Sequence, residues 1–444
     1  MNAEASEPGF AADARSAATA GAPRYAAGLC AAVFAAVALP LILSGYDHGR
    51  PWFDQAHYHL PTILHFAHGG SLYDYQSATT PGYHLLLAAV ASVLPDSEVA
   101  LKLAGLAISL GLVIALAAYI ARAIGSAPLT LCLLSPMLLS PYFLPQGVWL
   151  LPDNLAWLCV FAVLLQALRF EHRAAWYAQT SMLLLIGILV RQSTAWLLAP
   201  ACLSALIGTP LGAAWGARPA HSPGRLRQRL LCALAMVLPA ILALAGFVRL
   251  WHALTPPSFV GQHQGVNFAA WPFLLCVFGF YAAFYLPLIL PAALHSAHCR
   301  RAVLIGGVVG FALAILQPTD ASEAGGRISG LWNLADFGPS PWHRSVLITA
   351  LSVVGGMNLA LWCVALPRRL AIAALCTLGA FLVAQTPNHM VYERYFAELV
   401  FILILMMSAE LLRLRRGAIR PWRFALPVLL AAVNAALLVR VLGA

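Results

Sequence analysis

Residues Pro81-Gly82-Tyr83-His84-Leu85-Leu86-Leu87-Ala88-Ala89-Val90-Ala91-Ser92-Val93-Leu94 decide how this chain is laid out. The run is apolar enough for a bilayer. It is nevertheless short and opens on Pro-Gly, whereas a helix that crosses the hydrocarbon core needs about 20 residues. As a helix at the membrane surface, it leaves one long outer segment, 46–99. As a span, it would invert everything after it. The arginines arbitrate. With 81–94 not crossing, spans are expected near 25–45, 100–120, 127–144, 153–168, 176–191, 194–211, 230–250, 271–294, 302–317, 345–366, 370–385, 396–412 and 424–441. Lys102 is the only lysine, so 25 of the 26 basic residues are arginines, and 18 of these then fall in the N-terminus or in turns on one side. They include Arg122, Arg169, Arg173, Arg300, Arg301, Arg368, Arg369 and the group from Arg413 to Arg423. Basic residues mark the cytoplasmic side, so the N-terminus is expected inside. The acids Asp47, Asp54, Asp74, Asp153, Asp320, Asp336 and Glu393 land on the other face.

Composition points the same way. Of 444 residues, 61% are apolar and 9% charged. Soluble proteins carry about a quarter charged residues, so a soluble enzyme, a disordered chain and a nucleic-acid-binding domain are excluded. A membrane β-barrel would alternate apolar and polar residues, which this chain does not. The net charge of +10 is therefore a topology signal. The expected fold is an all-α integral membrane protein of about 13 transmembrane helices, with interfacial helices in the first outside loop, 46–99. Residues 1–24 are expected to be a disordered cytoplasmic N-terminus and 25–441 a single polytopic domain. The nine cysteines show no metal-ligand spacing and read as buried apolar side chains. No internal repeat is evident, which weighs against a carrier built from repeated halves.

Candidate chemistry gathers on the outer face. Asp54 lies just past the first span among aromatics, where partial desolvation would make it a better base. His48, His57, His59, His65 and His68 crowd the same loop without the fixed triad that a catalytic zinc needs, so no metal site is expected. Thr80 before Pro81 reads as a cap of the surface helix, and Asp153 after Pro152 as the N-cap of a span. Arg191-Gln192 interrupts an apolar stretch with no acid near in sequence. An arginine at that depth faces a polar cavity or partner, or else snorkels to the interface, and its planar fork suits phosphate. Asn388-His389-Met390-Val391-Tyr392-Glu393-Arg394-Tyr395 forms a second polar cluster.

Together these patches resemble the multi-spanning, polyprenyl-phosphate-sugar-dependent glycosyltransferases of the GT-C class. Within it they most resemble the α-1,2-glucosyltransferases that use dolichyl-phosphate-glucose in N-glycan precursor assembly. The likeness is carried by Asp54 with His59-Leu60-Pro61 and Thr79-Thr80-Pro81-Gly82, by Pro152-Asp153, by Arg191-Gln192-Ser193, and by Tyr392-Glu393-Arg394-Tyr395-Phe396. Gly261-Gln262-His263-Gln264 adds a fifth patch. The family has Asp-Glu where this chain has Asp54-Gln55, and the chain has one residue more between Asp54 and His59. The resemblance implies a GT-C-like helical bundle that moves a sugar, glucose by analogy, from a polyprenyl-phosphate carrier to an acceptor hydroxyl with inversion. It implies Asp54 as general base and Arg191, Gln192, Arg394, His59, Thr80, Asp153 and His263 as substrate-binding residues, with no cofactor. The lysine-poor composition fits a bacterial homologue in the inner membrane, its site facing the periplasm and its acceptor a lipid-linked or envelope glycan. A transporter or flippase of a lipid-linked sugar, or a non-catalytic envelope-complex subunit, is the alternative.

Overall fold

The computed structural model describes residues 9–94, 97–169, 173–206, 223–289, 297–414 and 420–443. Among them the regular elements are helical: α1 (Gly9–Leu43), α2 (Arg50–Asp54), α3 (Leu60–Ala67), α4 (Gly82–Val93), α5 (Glu98–Ile124), α6 (Ala127–Leu138), α7 (Leu144–Val148), α8 (Asp153–Leu168), α9 (Ala174–Val190), α10 (Leu198–Leu206), α11 (Pro223–Trp251), α12 (Ala270–Ala283), α13 (Ala297–Leu316), α14 (Leu331–Asp336), α15 (Val346–Ala365), α16 (Arg368–Gln385), α17 (Glu393–Leu414) and α18 (Ala425–Leu442). Eight are long and apolar enough to cross a bilayer: α1 over Gly21–Leu43, α5, α11, α13, α15, α16, α17 and α18. The chain is an all-α integral membrane protein.

The spans expected near 127–144, 153–168, 176–191, 194–211 and 271–294 form the shorter helices α6, α8, α9, α10 and α12. Prolines account for several of these endings, because proline lacks the donor N–H and clashes with the preceding turn. Pro141 and Pro145 follow α6, Pro152 precedes α8, and Pro287 sits in the 3-10 turn after α12. Parts of the 194–211 and 271–294 spans lie outside the described residues. At the other end, α1 begins at Gly9, so helix covers much of the N-terminal stretch expected to be disordered. Its alanines favour that conformation.

Helix α17 is buried from Tyr395 to Leu412 and forms the central pillar, packed by α5 and α12. The peripheral α11 and α13 turn Leu234, Leu242, Leu304, Ile305 and Val308 outward, an apolar surface that suits lipid. Helices α13 and α15 approach closely through glycine: a Cβ on Gly306 would come within 2.9 Å of Ala360 Cβ and nearer still to the Gly356 main chain.

Helix α4 has 12 residues, about 18 Å at the usual rise per residue, too short for the hydrocarbon core. It buries Tyr83, His84 and Leu87 against its neighbours while Leu85, Leu86 and Val93 stay exposed. Helices α2 and α3 form one continuous rod, joined by a π turn over Gln55–His59 in which Leu60 N–H donates to Gln55 O. The long segments after α11, α13 and α16 meet: Asn267 Nδ2 donates to Gly325 O and His389 O, and Gln264 bridges to Asn388.

Candidate active site

One cavity of about 1240 Å³ is framed by the α2–α3 rod, the start of α8, the end of α9, the start of α17 and the joined segments. Asp54, His59, Asp153, Arg191, Gln192, His263 and Arg394 all line it, although they are spread over 340 residues of sequence.

The π turn explains how Asp54 and His59 share a wall. Five residues apart in a regular α-helix they would point in different directions. A turn closed by i→i+5 bonding absorbs one residue and returns them to one face. Gln55 turns away from the cavity. It is buried, donates to Glu98 Oε1 at 2.7 Å and accepts from Leu150 N–H at 3.1 Å, tying the rod to the strut that leads into α8.

Two arginine–carboxylate pairs dominate the electrostatics. Arg394 Nη1 donates to Asp54 Oδ2 at 2.7 Å. Arg191 pairs with Asp153, whose side chain is 11% exposed against 17% for the arginine. The acid that Arg191 lacks nearby in sequence thus comes from the start of α8. Asp153 was expected to cap that helix. Instead α8 begins at Asp153 itself with no side-chain capping bond, because the guanidinium claims its carboxylate. Arg191 breaks the apolar helix in an extended conformation (φ −155°, ψ 113°) and is followed by a 3-10 turn, Gln192–Leu197. The chain reverses there, so Arg191 occupies the tip of a hairpin.

Thr80 likewise does not cap α4, whose N-cap is Pro81. Its hydroxyl donates to Ile188 O at 2.6 Å, and its N–H donates to Gln192 Oε1 at 3.0 Å. Gln192 Nε2 in turn donates to Ala78 O at 2.7 Å. Thr80 lies behind the cavity wall, where with Gln192 it clamps α4 to the Arg191 hairpin. His263 reaches Asn388 Oδ1 at 3.3 Å, and burial lowers its basicity against the opposing pull of that bond. His57 stacks on Phe53 at the exposed side of the rod, so the expected crowd of histidines is split. Among the described residues no cluster of His, Cys, Asp and Glu could hold a metal. None of the nine cysteines is in a disulfide.

Three further residues shape the site: Tyr392 and Tyr395, which the sequence offered only as members of the second polar cluster, and Glu398, which it did not single out. The Tyr395 ring lies 4.9 Å from Arg191 Cζ and 5.4 Å from Arg394 Cζ, so one aromatic face serves both cations. Tyr392 lies 5.5 Å from Arg394 Cζ. Glu398, one turn below Arg394, is 1% exposed and neither carboxylate oxygen has a hydrogen-bond partner. An acid inside the apolar run 396–412 was the available signal. Glu393 lines the cavity too, but its carboxylate holds the fold: it accepts from Leu331 N–H at 2.6 Å and Tyr281 Oη–H at 3.0 Å, docking α14 onto α17.

No protein-family model and no curated protein matches this sequence. Among solved structures, the crystal structure of ArnT from Cupriavidus metallidurans in the apo state is similar over 85% of this chain and 77% of its own, at 14% identity and a TM-score of 0.33.

Proposed function

We propose that the chain is a membrane glycosyltransferase of the GT-C kind, transferring a sugar from a polyprenyl monophosphate to an acceptor hydroxyl with inversion. The observation that carries this reading is the convergence of Asp54, Arg191 and Arg394 on one cavity inside a membrane-embedded bundle. A carboxylate that can take a proton stands beside two guanidinium groups that can take a phosphate, and the surrounding helices give the donor's lipid tail a place to remain. Asp54 removes the acceptor proton. Arg191 and Arg394 hold the donor phosphate and stabilise the charge that grows on it as the glycosidic bond breaks. Arg394 has a buried Nε–H without a partner, so it can accept an anion while still facing Asp54. The incoming phosphate competes with Asp54 for Arg394, which loosens the carboxylate when the donor is in place. His59, Gln192, His263 and Asp153 complete the pocket, and Thr80 steadies it from behind. The sequence patches favour glucose as the sugar, a lipid-linked or envelope glycan as acceptor, and a bacterial inner membrane with the cavity facing the periplasm.

The test is transfer of radiolabelled sugar from synthetic polyprenyl-phosphate sugars by the purified protein in nanodiscs, with Asp54→Asn as the negative control. Label appearing in an acceptor with wild type and not with Asp54→Asn is the expected result. Movement of intact lipid-linked sugar across proteoliposomes without transfer would overturn the reading in favour of a flippase.

A further inference from the structure

Behind the cavity wall, α4 presents His84 to His59. The two ring nitrogens, His59 Nδ1 and His84 Nε2, are 2.9 Å apart, the ring planes differ by 13° and the centroids are 5.2 Å apart. A nitrogen separation that short is incompatible with stacked faces. The rings lie edge to edge and nearly coplanar, with the lone pair of one aimed at the N–H of the other. We propose that His84 is a positioning residue that locks His59 as a neutral imidazole with its proton on Nε2, so that His59 donates a hydrogen bond from the wall to an oxygen of the bound ligand and does not serve as the base.

The direction of the bond follows from what surrounds His84. Its side chain is fully buried, and its Nδ1 has no partner. Were His84 Nε2 the acceptor, the proton would sit on Nδ1 as a buried N–H with nothing to receive it. Orphaned buried N–H groups are rarer than under-satisfied acceptors, and leaving a buried donor unmade carries its full desolvation cost. His84 therefore carries its proton on Nε2 and donates to His59 Nδ1, which leaves the His59 proton on Nε2, the edge facing away from His84. A doubly protonated His59 is disfavoured. Burial, with the Arg394 and Arg191 charges, pushes its imidazole down to about 3, and burial also holds His84 well below its ordinary range. The lock is itself anchored. Helix α4 is fixed by the Thr80–Gln192 clamp, and a Cβ on Gly82 would come within 2.8 Å of the Leu189 carbonyl carbon, so His84 and Arg191 sit on abutting pieces of backbone. The ligand oxygen, on a sugar hydroxyl or a phosphate, rests on the sugar-transfer reading, whereas the tautomer does not.

The test is solid-state NMR of the full-length protein in nanodiscs, labelled with ¹⁵N at histidine, with the His59 signals assigned by their loss in His59→Gln. A bare Nδ1 and a protonated Nε2 on His59 are expected. His84→Gln supplies an amide N–H at the same reach and should keep that pattern. His84→Leu removes the donor and should release it to a mixture, with kcat/KM for the donor sugar falling about tenfold and Gln restoring most of it. A protonated Nδ1 on wild-type His59, or an unchanged pattern in His84→Leu, would overturn the proposal. If the Leu variant does not fold, the wild-type spectrum still decides. The expected tautomer in a wild-type protein that transfers no sugar would sustain the lock and overturn the proposed function instead.

Discussion

Severing the Arg191–Asp153 pair tests whether the hairpin tip is held electrostatically. The two side chains are 17% and 11% exposed, so they are closer to a buried pair than to a surface one. Surface pairs are worth about 0–1 kcal/mol. Removing one partner of a buried pair costs about 3–5 kcal/mol, because the survivor is left as an uncompensated charge. Arg191 keeps some access to the cavity and the face of Tyr395, which places each single change at the lower end, about 3 kcal/mol. Arg191→Met should therefore destabilise by about that amount, and Asp153→Leu by a similar amount from the other side. The double variant leaves no orphan. Its cost should fall short of the sum of the singles by about 1.5–3 kcal/mol, the coupling expected of residues in direct contact. The assay is reversible unfolding in mixed detergent micelles with increasing SDS, followed by tryptophan fluorescence, on all four proteins. Single costs below about 1 kcal/mol with strict additivity would show that Arg191 is solvated through the cavity and that the pair does not hold the tip.

Asp54→Asn should lower transfer by about 10²–10⁴-fold while the protein still folds, since the amide oxygen can accept from Arg394 but cannot take the acceptor proton. Turnover at the wild-type rate would move the base role to Asp153 or Glu393. Gly330→Ala should destabilise by about 2 kcal/mol or more, because its φ of 56° is strained for any residue with a Cβ and that Cβ would press on the Glu393 carboxylate. Unaltered SDS unfolding would refute the docking of α14 through this turn. Stability should also fall on acidification. His59 is neutral in the fold down to about 3, whereas the unfolded chain takes the proton below about 6.5. The contribution is thus complete above 6.5 and lost as pH drops, by about 2 kcal/mol between pH 6.5 and 5. A stability that is flat over that interval, or a slope unchanged in His59→Gln, would show that the imidazole is not held neutral.

The sequence carried much of this arrangement because two of its signals are one-dimensional. Arginine alternation and long apolar runs report membrane crossing locally, so the eight long helices were visible in advance, and the shortness of 81–94 marked α4 as a helix of too few residues to span. Of the five shorter helices, α8 and α9 match the readings 153–168 and 176–191 to within two residues, whereas 127–144 was read too long because apolarity continues past Leu138, where α6 ends ahead of Pro141. At the site, Asp54, Arg191 and Arg394 could be singled out as charges where charge is costly. Their pairing could not: Asp153 lies 38 residues before Arg191, and only the side-by-side packing of α8 and α9 joins them. Capping roles for Thr80 and Asp153 followed a local rule that longer-range partners overrode. The His59–His84 contact depends on α3 packing against α4, which no spacing along the chain reveals.

The π turn at Gln55–His59 has a consequence for how this kind of site drifts over time. A residue inserted into an ordinary α-helix rotates everything beyond it by about 100° and scrambles a shared face. Here the chain already carries a spare residue, stored in a wider loop of hydrogen bonds. Deleting Ala56 should tighten that loop into a regular turn and bring His59 back to the same side as Asp54. The stretch between the acid and the histidine is then a place where insertion and deletion are nearly silent. A pattern that counts residues between the two will pass over chains that build the same wall with a different length of polymer.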